Sequence, residues 1–304
     1  MYLKRSGEKY WNELSDLVSI LPYPLAAPLA LYLSQSDPIK LVKQALEFVE
    51  GALAMAAYVA YQEYCAVNKG RGESKLFKGF TQRSGGPLWD LLKKCLEQLK
   101  GNAVISAPYK ELLTPELYEP IDKVITFLAK YKHGKASETL LDTLRPVQIL
   151  ANISQKVFTT NVFGFFEQVR KQRFDRENQG LFRLACGNPP FIKALGYRGP
   201  LLFSEEESFL LNLDNYTALS LQPLVFWDHC NKHPEVDIGH CYLFDKPEKT
   251  EGVFSFKAVG FPCTCEVSVT NQFSTLANTI VKYRERDPQI DLLAVGTVWD
   301  TSEN

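Results

Sequence analysis

Residues 208–227 read SFLLNLDNYTALSLQPLVFW. Leu219 and Leu221 alternate with Ser220 and Gln222, the two-residue period of a half-buried strand. Asp214-Asn215 between the two apolar runs is turn chemistry. The spacing predicts two strands joined by a turn. The chain before about residue 180 carries the helical period instead. Together they set the fold class as α+β: an N-terminal helical bundle (1–180) followed by a small, mainly antiparallel sheet with one helix (181–304).

Toward the C-terminus the strand signals continue. CYLF and VFSFKAV flank the turn DKPEKTEG, with Phe254 and Phe256 alternating with Ser255 and Lys257, which predicts a hairpin. CEVSVTN and DLLAVGTVW add further strands, and Asn271 or Ser274 is placed to cap a helix through Lys282. CGNPPF and YRGP read as turns.

Toward the N-terminus the apolar residues fall three and four apart. Asp37 is an N-cap and Pro38 suits the first turn of a helix that runs to about Tyr64. In GPLWDLLKKCLEQLKG (86–101), Leu88, Leu91, Leu92, Cys95, Leu96 and Leu99 share one face and Gly101 closes the helix. A third helix starts at Thr114-Pro115. A fourth starts near Ser137 and is kinked or broken at Pro146. Residues 152–177 read as a fifth.

An apolar content of 45% with 23% charged residues is globular rather than disordered. The most apolar run, ALAMAAYVAY (52–61), is half the length a membrane span needs and predicts a buried helix. The first residues lack the apolar core of a secretory signal, so a cytoplasmic protein with reduced cysteines is expected. Residues 1–180 hold 24 Lys and Arg against 19 Asp and Glu, and the remainder 10 against 16. Neither half is basic enough for charge alone to argue nucleic-acid binding.

WDHCNKHPEVDIGHC (227–241) gathers three of the four histidines and two of the seven cysteines. Cys230-x-x-His233 has zinc-knuckle spacing and follows a strand. Cys263-Thr264-Cys265 offers a second pair across the hairpin. Cys230, His233, Cys263 and Cys265 would close a tetrahedral, structural zinc site with no position open for water. His229, His240 and Cys241 are competing donors. The other reading is a loop that keeps the knuckle's shape without a metal, and then no cofactor is implied.

The run RKQRFDR offers Arg170, Lys171, Arg173 and Arg176 to a phosphate backbone. Glu167, Asp175 and Glu177 dilute it, which favours a solvated face. GKASET (134–139) lacks the full phosphate-loop pattern.

LPYPLAAPLALYL, the Gly86-x-x-Trp89 helix start and His133-Gly134 after the third helix resemble a helical domain of bacterial conflict and signalling proteins. That domain is similar to the HEPN superfamily and its abortive-infection-type members, and the resemblance covers roughly the first 180 residues. The second half resembles a β-module that can follow it. Active members carry Arg-x4–6-His on one helix: Arg steadies the charge of the cleaved phosphate and His does acid–base work. Here His133 is the only such histidine. The positions where the arginine belongs hold Thr126, Phe127 and Leu128. The resemblance therefore implies a non-catalytic interaction or regulatory subunit of a bacterial defence or signalling system, docking a protein partner or a second copy of itself. The rivals are a ribonuclease with an atypical site at His133 and a zinc-stabilised nucleic-acid-binding module.

Overall fold

The computed structural model describes residues 3–68, 76, 83–134, 144–171, 178–188, 190, 193–199, 208–214, 217–222, 224–228, 239–248, 253–259, 266–270, 293–295 and 297–300. Helices come first: α1 (Leu3–Val18), α2 (Tyr23–Ser34), α3 (Pro38–Val67), α4 (Gly85–Leu99), a 3-10 helix (Ala107–Leu113), α5 (Pro115–Lys132) and α6 (Leu144–Phe158). Strands follow: β1 (Asn161–Lys171), β2 (Asn178–Leu184), β3 (Ala194–Gly199), β4 (Ser208–Asn212), β5 (Thr217–Ser220), β6 (Val225–Asp228), β7 (His240–Pro247), β8 (Val253–Val259), β9 (Glu266–Thr270), β10 (Leu293–Val295) and β11 (Thr297–Asp300). The fold is α+β. Among the described residues no helix is long and apolar enough to cross a membrane.

α3 is the axis of the helical part. Asp37 caps it by accepting a hydrogen bond from Ile39 N at 2.9 Å. Every residue from 51 to 60 is buried, so this stretch is apolar around its whole circumference rather than along one stripe. α2, α4, α6 and β5 enclose it. Small alanines let these neighbours approach closely.

Helix gives way to strand between Phe158 and Asn161, earlier than the expected position near 181. The expected fifth helix over 152–177 is corrected accordingly: 161–171 is β1. Pro146 lies near the start of α6 as described, and the expected helix start near Ser137 lies outside the described residues. Of the expected turns, YRGP gives up Tyr197, Arg198 and Gly199 to β3. The stretch 208–227 holds three strands, not two, because the chain leaves the first sheet after Ser220 and enters the second at Val225. The helix expected after Asn271 lies outside the described residues.

The first sheet has the antiparallel order β10-β5-β4-β1-β2-β3-β11. Its two outermost strands are separated in sequence by residue 296 alone, and one residue spans at most about 7 Å from Cα to Cα. The two ends of the sheet are therefore one place. β10 pairs antiparallel with β5 and β11 with β3, and following the alternation round the sheet gives both the same direction. The sheet is a closed six-stave barrel whose last stave is β10 and β11 in succession. Its interior holds Phe166, Phe182, Tyr197 and Phe209, all 0% exposed. Phe166 contacts the other three rings at 5.0–5.3 Å. The barrel is filled by side chains rather than hollow. Gly164 makes this tightness possible: a Cβ there would lie 2.0 Å from Arg183 O on β2.

β6-β7-β8-β9 form a second, antiparallel sheet. One hydrophobic core runs from α3 through Phe163, Phe165, Leu210 and Leu219 on the barrel's outer face to Trp227, Cys241 and Leu243 of the second sheet. Trp227 stacks on Phe165 at 4.9 Å and meets Tyr23 of α2 at 5.8 Å.

Candidate functional site

His133 caps the C-terminal end of α5, exposed, beside Lys132, whose Nζ reaches Glu50 Oε1 at 2.5 Å. It is not enclosed by other catalytic side chains among the described residues. Arg170 and Lys171 lie at the end of β1, beyond a register shift, paired along the backbone with Gln179 and Asn178. Arg173 and Arg176 lie outside the described residues, as do Cys230, His233, Cys263 and Cys265. Among the described residues no three His, Cys, Asp or Glu gather as a metal would require.

Two of the competing zinc donors are placed. His240 and Cys241 open β7, paired with Asp228 and Trp227 of β6, and are 1% and 0% exposed. Burial pushes the Cys241 thiol far above its ordinary range. Cys241 is thus a core residue. Gly239 leads into the strand at φ +70, where a Cβ would meet Asp228 O at 2.8 Å.

The most constrained polar constellation lies elsewhere, where α3 meets the turn after α4. Glu63 is 0% exposed. Its Oε1 accepts from Val104 N and Ile105 N, both at 2.7 Å; its Oε2 accepts from Ser106 N at 2.9 Å and Ser106 Oγ at 2.5 Å. Four donors thus surround the carboxylate, with no cation paired to it among the described residues, the arrangement that makes such burial tolerable. The turn begins at Lys100, whose φ of 49 and ψ of −114 suit glycine rather than lysine. Such a conformation costs about 1–3 kcal/mol and persists only where its surroundings enforce it. Asn102 N donates to Leu99 O at 2.8 Å, and Lys110 Nζ to Lys100 O. Beneath the turn, Ala103 packs on Tyr64, Cys65 and Leu99. Above it, Val104 is 61% exposed, the most exposed of the large apolar side chains described.

A second constellation joins the helical part to the second sheet. Asp245 is 6% exposed, at an irregularity in the β7–β8 register. Lys257 Nζ is 3.2 Å from its Oδ2, and Arg83 Nε is 3.8 Å from its Oδ1. Arg83 N also donates to Asp245 O at 2.5 Å, and Tyr58 OH of α3 donates to Phe244 O at 2.7 Å. Burial pushes the Tyr58 hydroxyl up, against the pull of Arg83.

Sequence reasoning passes over Glu63, Lys100, Val104, Arg83 and Asp245. One signal for Glu63 is present: a carboxyl within AYVAYQEYCAV, in the mostly apolar C-terminal turns of α3, needs partners from elsewhere in the fold. No family model, no curated protein and no solved structure matches the chain.

Proposed function

We propose that the chain is a non-catalytic protein-interaction or regulatory subunit whose contact point is the turn 99–106. The carrying observation is that turn's construction: a fully buried carboxylate and a strained lysine hold a turn that displays Val104 to solvent. Desolvating a carboxylate costs several kcal/mol, and here that cost goes into one backbone geometry. A rigid loop loses little entropy on binding, so an exposed apolar side chain on it contributes more of its burial energy to affinity. The exposed, unenclosed position of His133 and the missing arginine before it favour binding over catalysis. The bacterial defence or signalling setting, and a cytoplasmic location, rest on the resemblance of the first 180 residues and on composition. A structural zinc at Cys230, His233, Cys263 and Cys265 is compatible with this reading and unnecessary to it.

The test measures association and cleavage side by side. Light scattering should show a dimer, or capture from native lysate a stable heteromeric complex, and Val104→Asp should abolish either one while leaving circular dichroism unchanged. A monomer that recovers no partner would remove the proposal. Cleavage of labelled RNA that disappears in His133→Ala would replace it with the ribonuclease.

A further inference from the structure

We draw no further inference here: the strongest candidate, the aromatic corner between α4 and α5 in which Lys93 Nζ lies 5.7 Å from the ring centre of Trp89, 5.9 Å from that of Tyr118 and 3.0 Å from Asp90 Oδ1, is already filled by the chain's own lysine from the same helix as Trp89 and Asp90, and nothing among the described residues points to another cation that would replace it.

Discussion

Glu63 and Asp245 are both buried carboxylates, 0% and 6% exposed, and they are accommodated in opposite ways. Glu63 is surrounded by neutral donors from one short turn. Asp245 is flanked by two cations from different parts of the chain. Neutral N–H and O–H groups reach their full effect only at short range and fixed angle, so the Glu63 arrangement sets a local geometry. Charges act over longer distances with looser geometry, so the Asp245 arrangement ties together layers that need not fit atom to atom. The first is suited to shaping a surface feature, the second to fastening the helical part to the second sheet.

The largest expected difference follows from that. Glu63→Ala leaves Val104 N, Ile105 N, Ser106 N and Ser106 Oγ without their acceptor in a site closed to water. Each orphaned buried donor costs about 1–3 kcal/mol, partly relieved as the turn loosens, so a loss of about 3–5 kcal/mol is expected in urea denaturation. Amide exchange at 104–106 should accelerate well before the rest of α3. A loss below about 1 kcal/mol would mean that the turn is not held by this carboxylate.

The legibility of these features in the sequence follows the same division. α3, α4 and α5 could be read because caps and a repeating apolar face are local: Asp37, Pro38 and the Leu88–Leu99 face declare themselves within a few residues. β1 could not. Its NVFGFFEQV is apolar enough to continue a helix, and only Gly164, needed because Arg183 O approaches so closely, marks the difference. β7, β8 and β9 were legible through alternation, while β3 was hidden inside what looks like a turn. Barrel closure was not legible at all, since it depends on pairing 293–295 with β5 and 297–300 with β3, in a ring that no local window contains. Glu63 and Asp245 share that limit: their partners lie 41 to 43 residues away for Glu63, and at Arg83 for Asp245.

In one respect the two regions should behave alike. Cys95 lies in α4, which leads into the Glu63 turn, and Cys241 lies in β7 with Asp245; burial raises both thiols far above the ordinary range. A thiol that stays protonated when folded but ionises when unfolded makes the unfolded state bind fewer protons at high pH. Stability therefore falls as pH rises above the unfolded thiol value of about 8.5. Each thiol should contribute a loss of up to about 1.4 kcal/mol per pH unit beyond that point. The buried hydroxyls of Tyr58 and Tyr109, also raised by burial, add to the loss from about pH 10. Cys95→Ala and Cys241→Ala should each flatten the slope between pH 8.5 and 9.5 by a similar amount. A stability curve flat across that interval would contradict the burial of both.

A charge-removing substitution at Asp245 is the most discriminating. Asp245→Asn keeps the side chain's shape and removes its charge. Lys257, whose side chain is 39% exposed, can turn toward water, but Arg83, at 15%, has less freedom to do so. Glu47 lies close enough to feel Arg83, which opposes the rise that burial imposes on its carboxyl, and it offers the guanidinium partial compensation. The expected loss is therefore about 1–2 kcal/mol, less than for Glu63→Ala. Salt separates the two mechanisms. Raising ionic strength from 0.1 M to 1 M shortens the screening length from about 10 Å to about 3 Å. The gap between wild type and Asp245→Asn should narrow with salt, because part of it is attraction between partly exposed charges. The gap between wild type and Glu63→Ala should stay constant, because its hydrogen bonds are shielded from ions. Both gaps are read from denaturation midpoints at the two salt concentrations. Equal narrowing would show that Glu63 is held by charge like Asp245, and the contrast between a shaping carboxylate and a fastening one would fail.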